Sequence, residues 1–257
     1  MGSELFDLTG RRALVTGGGR GIGLAIAKAL AEHGADVALV ARTAEQLNKA
    51  CADITADTGR RAMSFSYDLE DVEGIAGLFQ DVVARAGAVD ILVNCAGTNV
   101  RGPSEDVNLA DWERVQAVNV KSVLVLSQAF CRHRKQAGAG GSIVNIGSLM
   151  CVGARPTTAA YAASKGGLLM LTKTLAVEWA KYGINVNAIG PGYIATDLTA
   201  PLRADAEFNK WVLSKTPAGR WGRPEDLVGA AVLLASPAGA FITGQIIYVD
   251  GGWLALL

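Results

Sequence analysis

Tyr161 and Lys165 stand at positions i and i+4, so on a helix they share one face, a single turn apart. A phenol with an ordinary pKa of about 10 is a poor acid or base at neutral pH. A nearby ammonium favours its phenolate, and such a pairing suits proton transfer coupled to hydride chemistry. Ser148 lies upstream of Tyr161 at the end of an apolar run. Its hydroxyl can hydrogen-bond a carbonyl oxygen and stabilise a developing alkoxide. Asn119 interrupts an apolar helical pattern, as a solvated position or as a kink that frees a backbone carbonyl. By spacing alone, Tyr161 and Lys165 also fit an ordinary amphipathic helix with a half-buried tyrosine and a solvated lysine.

A second group of residues could hold a dinucleotide. Thr16-Gly17-Gly18-Gly19-Arg20-Gly21-Ile22-Gly23 follows an apolar run and opens a helical pattern. Glycine allows the tight turn and lets backbone approach a pyrophosphate, while the helix N-terminus offers N–H donors and the positive end of a dipole. The second apolar run ends at Ala41, where NAD-binding folds often place an acid to hold the ribose 2′-OH. Arg42 and Thr43 follow, and Arg20 can approach from the glycine loop; a guanidinium can pair bidentately with a phosphate. Each arginine alone is equally well read as a surface charge. Together with the missing acid they predict NADP(H) as the preferred cofactor, with NAD(H) as the alternative.

These groups need elements that end where they begin. Short apolar runs at Arg12–Thr16, Asp36–Ala41, 61–67, 90–94, Gly141–Ile146, 184–189 and 245–249 predict strands. Helical patterns fill the spaces at 22–33, Ala44–Thr58, 72–86, 108–118, 120–136, 159–181 and 224–235. Residues 97–103 read as a loop. Nearly unbroken apolar strands alternating with helices predict an α/β fold: a doubly wound parallel sheet with helices on both faces. With no linker or repeat, 1–257 reads as a single domain. The irregular stretch 193–222, rich in Pro and Gly, is placed to cover the ligand crevice at the carboxyl edge of the sheet.

Composition narrows the function. Half of the 257 residues are hydrophobic and 19% are charged, which suits a folded core rather than disorder. Lys+Arg and Asp+Glu number 24 each, so the basic excess of a nucleic-acid binder is missing and no nucleic-acid partner is expected. The start has no secretory pattern, and no apolar run is long enough to span a membrane, so no membrane association is expected. Four widely spaced cysteines without a C-x-x-C pair read as reduced thiols of a cytoplasmic protein. With two histidines, His33 and His133, a histidine-based metal site or a Ser-His-Asp triad has little to draw on, and no metal is expected.

The glycine loop together with Asn119, Ser148, Tyr161 and Lys165, in that order and spacing, resembles the short-chain dehydrogenase/reductase family from about Leu8 to Gly252. That resemblance implies a Rossmann fold and a catalytic tetrad. Ser148 would hold the substrate carbonyl, Tyr161 would transfer the proton, and Lys165 would support Tyr161 and bond the nicotinamide ribose. Asn119 would hold a water beside the lysine. Gly17, Gly19, Gly21, Ile22 and Gly23 would cradle the pyrophosphate. Asp68-Leu69 matches the position that contacts the adenine amino group, although an Asp before a helix is also a common cap. Asn94-Cys95-Ala96-Gly97 resembles an Asn-Asn-Ala-Gly motif at the adenine ribose, with Cys95 replacing the second Asn. Pro191-Gly192 resembles a turn beside the nicotinamide, with Ile194 and Thr196 toward its carboxamide; alone it is an ordinary Pro-Gly turn. The ending Val249-Asp250-Gly251-Gly252 resembles the part of the family that helps build a homotetramer.

The substrate is expected to be a small carbonyl or alcohol held by Ser148, Met150, Arg155, Tyr161 and Tyr193. Val100, Leu198, Phe208 and Trp211 would supply apolar walls. Arg155, Arg101 and Lys210 could recognise an anion, or be exposed charges. Within the family, Pro191–Leu202, the string Thr216-Pro217-Ala218-Gly219-Arg220-Trp221-Gly222 and Gly251–Ala255 resemble gluconate 5-dehydrogenases, which implies a sugar acid or polyol such as gluconate/5-ketogluconate. The alternatives are a 3-oxoacyl-carrier-protein reductase or general carbonyl reductase and, of another class, a non-catalytic NADP(H)-binding regulator. The intact tetrad argues against the last.

Overall fold

The computed structural model describes residues 4–256. Seven parallel strands form one sheet in the order β3-β2-β1-β4-β5-β6-β7: β1 Arg12–Thr16, β2 Asp36–Ala41, β3 Ala62–Ser66, β4 Ile91–Asn94, β5 Gly141–Ile146, β6 Ile184–Pro191 and β7 Ile246–Val249. Strand order reverses at β1, which pairs with β2 on one side (Val15 opposite Leu39) and with β4 on the other (Val15 opposite Val93). A crevice at the carboxyl ends of the strands follows from that reversal.

Helices cover both faces, and the strands show why their apolar runs lack polar alternation. Ala13, Val15, Ile91, Val93, Val144 and Ile146 face a core shared with α1 (Gly21–Glu32), α2 (Ala44–Thr58) and α9 (Val228–Ala235). Their neighbours Leu14, Leu92 and Ile143 face the opposite core, with α3 (Ile75–Ala86), α5 (Ser122–Gln136) and α6 (Ala159–Trp179). Phe130 on α5 is fully buried there, so truncating it to Ala would cost about 3–5 kcal/mol. At the amino edge of the sheet, Arg134 on α5 pairs with Asp90 at 2.8 Å. Asp90 also accepts from the Arg12 backbone N–H at 2.9 Å. This buried ion pair therefore ties α5 to the amino end of β1.

Several boundaries differ from the sequence pattern. The strand expected at 61–67 is Ala62–Ser66, and the helix expected from 72 begins at Ile75 after a turn in which Asp71 accepts from the Gly74 N–H at 3.2 Å. The strand expected to stop at 189 runs on to Pro191, because Gly190 and Pro191 stay in register with Tyr248 and Val249. Proline is tolerated at that strand end because no ladder donor is needed there. The helix expected at 224–235 opens as a tight 3-10 turn, Pro224–Leu227. The two helices expected around Asn119 are α4 (Leu109–Gln116) and α5, joined by one π-helical turn over Ala117–Lys121. Such turns frequently mark functional positions. Residues 193–222 carry two short helices, α7 (Ala200–Ala204) and α8 (Ala206–Lys215). Among the described residues, no helix is long and apolar enough to cross a membrane.

Candidate functional site

The carboxyl ends of β1 to β6 open into a cleft of about 380 Å³. At the end of β1 the chain turns through Gly17 at φ +66°, where a Cβ would stand 3.1 Å from the Ala96 backbone. A Cβ on Gly23 would run into the Gly17 carbonyl oxygen. Only glycine lets backbone pack this closely on backbone. Arg20, the N-cap of α1, makes no side-chain cap bond, so the first-turn N–H groups beside cleft-lining Gly21, Ile22 and Gly23 lack a side-chain acceptor. An uncapped helix start of this kind fits a phosphate group. Gly19 is buried against Ala41 and Gln46 and shapes the loop from behind.

At the ends of β2 and β3, Ala41, Arg42, Asp68 and Leu69 line the cleft as the sequence suggested. Both arginines assigned to a 2′-phosphate already face an acid. Arg20 lies 2.9 Å from Asp197 across the cleft mouth, and Arg42 lies 3.7 Å from Asp68. Thr43 is exposed at the N-cap of α2 and makes no side-chain cap bond. Asp68 does not cap α3; it accepts from the Glu70 N–H at 3.1 Å. Tyr67, which the sequence did not single out, also lines the cleft, and burial with its hydrogen bond to Asp71 pushes its phenol up to about 12.

The turn after β4 is held by a residue outside the expected set. Thr16 Oγ accepts from the backbone N–H of Cys95 at 3.0 Å and of Ala96 at 3.1 Å. The turn thus rests on backbone donors, and Cys95 preserves them despite replacing an amide side chain. Burial raises the Cys95 thiol to about 12, which keeps it protonated and unreactive. Ala96 and Gly97 line the cleft. Asn94 does not: its amide points into the core and donates to Asn145 at 2.9 Å, which in turn donates to Thr172 at 2.9 Å.

Tyr161, Lys165 and Ser148 converge on the same cleft. Both Tyr161 and Lys165 lie in the first turns of α6, with the ammonium 5.7 Å from the phenol ring centroid. Lys165 is 4% exposed and donates to the Ile146 carbonyl at 2.6 Å. That bond fixes its stem and leaves donors for other partners. Ser148, in extended backbone past β5, accepts from the Met150 N–H at 3.2 Å. Asn119 is buried at the π-helical turn and its side chain is fully engaged. It accepts from the Thr98 N–H at 2.9 Å, donates to the Thr98 carbonyl at 2.9 Å, and donates to Ser164 Oγ at 2.9 Å. Asn119 therefore staples the β4–α4 loop to α6 and flanks Gly97 opposite Lys165. Ser164, inside the Tyr161–Lys165 turn, carries a positioning contact that the sequence reading passed over.

Pro191, Gly192, Ile194 and Thr196 continue the wall after β6. Thr196 is braced by Thr199, whose Oγ accepts from the Thr196 N–H at 3.0 Å. Tyr193 turns away from that wall into an aromatic cluster, with ring centroids 5.8 Å from Phe208, 5.9 Å from Trp211, 5.6 Å from Trp221 and 4.8 Å from Trp253. Its hydroxyl accepts from Arg155 at 3.2 Å. Met150 sits half-buried in the turn behind Ser148. Lys210 is exposed on α8. Among the described residues, no His/Cys/Asp/Glu group could hold a metal ion.

Comparison with known proteins places this geometry. A family model described as enoyl-(acyl carrier protein) reductase matches residues 17–254. Gluconate 5-dehydrogenase of Gluconobacter oxydans (strain 621H) is 45% identical over 253 residues, covering 97% of this chain and 96% of that protein. 2-Dehydro-3-deoxy-D-gluconate 5-dehydrogenase of Escherichia coli (strain K12) is 43% identical over 250 residues, covering 97% and 98%. The crystal structure of a gluconate 5-dehydrogenase from Burkholderia cenocepacia J2315, in complex with NADP and tartrate, superposes with a TM-score of 0.95 at 42% identity, covering all of both chains.

Proposed function

The chain belongs to the short-chain dehydrogenase/reductase family, oxidoreductases that act on CH–OH groups with NAD(P), and from that premise we propose that it is an NADP(H)-dependent enzyme interconverting a secondary alcohol and a ketone on a sugar acid such as gluconate/5-ketogluconate. The observation that carries this reading is the convergence of Ser148, Tyr161 and Lys165 on a cleft whose other end is the glycine cradle. The relatives named above act on gluconate or 2-dehydro-3-deoxygluconate, which supports the substrate class.

The residues present fit the dinucleotide. Gly17, Gly21, Ile22 and Gly23 would hold the pyrophosphate, Arg20, Arg42 and Thr43 the 2′-phosphate, and Asp68, Leu69, Ala96 and Gly97 the adenosine. Asn94 acts from beneath, by holding the end of β4 to β5. Pro191, Gly192, Ile194 and Thr196 would face the nicotinamide. When bound, the cofactor supplies or accepts the hydride. Ser148 Oγ and Tyr161 Oη hold the carbonyl oxygen between them. In reduction Tyr161 donates its proton to that oxygen, and the Lys165 ammonium stabilises the phenolate left behind. Since the Asn119 side chain is spent on Thr98 and Ser164, Asn119 serves proton resupply through its backbone carbonyl. In oxidation the same groups act in reverse.

The test is NADPH oxidation against 5-keto-D-gluconate, 2-dehydro-3-deoxygluconate, neutral ketones and acetoacetyl thioesters. Reaction with the keto-acids is expected, and reaction with thioesters alone would overturn the substrate. The same reading makes the protein a cytoplasmic homotetramer. Val177 on α6 is 82% exposed, and Phe241, before β7, is fully exposed, which supports burial by further copies. Light scattering of the purified protein checks the tetramer.

A further inference from the structure

The segment that follows β6 crosses the mouth of the cleft at its first turn. Short contacts pin the chain there: the Ala195 N–H donates to the Gly222 carbonyl at 2.8 Å, and Thr199 Oγ donates to the Ile194 carbonyl at 2.6 Å. Thr196 packs against the glycine loop, where a Cβ on Gly21 would stand 3.6 Å from its Cγ2. Asp197 opens the tight turn Asp197–Thr199. Its backbone is thus fixed beside the loop, and its carboxylate accepts from Arg20 Nη1 at 2.9 Å.

The pair has little structural work. Among the described residues, the Asp197 carboxylate and the Arg20 guanidinium each make no other side-chain hydrogen bond or ion pair. Asp197 does not brace its own turn, which Thr196 and Thr199 hold instead. Both side chains are largely exposed, so their contact adds little to folding. Yet both line the cleft. A carboxylate there opposes the charge that Arg20 offers to a ligand. A 2′-phosphate carries close to two negative charges at neutral pH and is an acceptor for the same guanidinium. To pair with Arg20 it must displace Asp197 or share the arginine with it, and either weakens its hold. NAD(H) carries a hydroxyl at that position and makes no such claim on Arg20, so the opposition falls on NADP(H) alone.

We infer that Asp197 is a specificity-determining residue that acts through Arg20: by competing for that guanidinium it limits the preference for NADP(H) over NAD(H) and speeds release of the phosphorylated cofactor. This assignment rests on the NADP(H) reading above. It is tested by measuring Kd for NADPH and NADH by fluorescence titration, and the NADPH off-rate by stopped flow, in the wild type, Asp197→Asn, Asp197→Glu, Arg20→Gln and the Asp197→Asn/Arg20→Gln double variant. The wild type should bind NADPH more tightly than NADH. Asp197→Asn keeps the shape of the side chain and removes its charge; it should tighten NADPH about 3- to 5-fold, with a slower off-rate, and move NADH by less than about twofold. Asp197→Glu keeps the charge and should stay near the wild type. With Arg20 replaced by Gln, Asp197→Asn should move the NADPH Kd by less than about twofold. An unchanged or weaker NADPH Kd in Asp197→Asn, equal tightening of both cofactors, or an undiminished gain in the Arg20→Gln background overturns the role of Asp197 while leaving the NADP(H) reading intact. A wild type that binds NADH as tightly as NADPH overturns that reading, and the role of Asp197 with it.

Discussion

At the end of the cleft beside β2 and β3, the arginines are already engaged: Arg20 with Asp197 and Arg42 with Asp68, all four side chains largely exposed. On the loop after β5, past Ser148, Arg155 has no carboxylate within ion-pair distance among the described residues and is held by Tyr193 and Phe208 instead. Exposed ion pairs contribute about 0–1 kcal/mol and exchange partners easily. On the proposed function, a cofactor phosphate therefore replaces one weak anion by a stronger one, while the substrate end keeps a fixed positive site. The first arrangement suits a cofactor that must leave after each turnover. The second suits recognition, because a preorganised charge discriminates against uncharged substrates.

The largest expected effect lies where the two ends meet. Tyr161→Phe should lower kcat by about 10²- to 10⁴-fold with NADPH affinity retained, measured by steady-state kinetics and fluorescence titration. Near-normal turnover would remove the chemistry from this tyrosine and leave the two ends with nothing to join. Gly17→Ala should come next. The new Cβ meets the Ala96 backbone at 3.1 Å, at φ +66°, so the glycine loop and the turn after β4 must part. NADPH KM should rise more than tenfold, with a loss of about 1–2 kcal/mol in stability. Arg42→Ala should lower kcat/KM for NADPH by roughly tenfold and leave NADH within about twofold. An equal change with both cofactors would show that Arg42 does not read the 2′-phosphate and would break the comparison at its first end.

The glycine-loop end of the cleft is legible in sequence because it is local. Thr16 to Gly23 is one contiguous motif between a strand and a helix, and its Gly17 and Gly23 are required by the backbone contacts they make. Ala41-Arg42 likewise follows directly from the end of β2. The cluster around Tyr193 is assembled over long separations: Arg155, Tyr193, Phe208 and Trp253 meet only once the sheet is ordered. The sequence names Arg155, Tyr193 and Phe208 as candidates for the substrate pocket but gives no pairing among them. Asn94 illustrates a different limit. Its motif marked the right turn, yet the position alternates inward on β4, and the amide serves Asn145 rather than the cleft. Asn119 was legible as a polar break in an apolar helix, but the π-helical turn that aims it depends on its partners Thr98 and Ser164.

The smallest effect tests whether the segment covering the substrate end is anchored. Arg220, near the close of 193–222, pairs with Asp226 at 2.6 Å, and Asp226 also accepts from the Arg223 N–H at 2.7 Å. The Arg220 hydrogen bond, and then the Arg223 backbone N–H, lower the Asp226 carboxyl from 3.8 to about 2. A carboxyl depressed on folding stabilises the protein fully above its unfolded value near 3.8, and that contribution is lost as pH falls toward about 2. Asp226→Asn should therefore destabilise the protein at neutral pH by about 1 kcal/mol once solvent screening is allowed for. The corresponding Tm shift is roughly 2–4 °C. The difference from wild type should narrow as the pH is lowered through that window, measured by thermal melts in a pH series. If the anchor positions the aromatic cluster, the same variant should raise KM for the keto-acid while leaving NADPH Kd unchanged. A shift in NADPH Kd instead would mean that the two ends are mechanically coupled through 193–222, by way of Asp197 and Arg20.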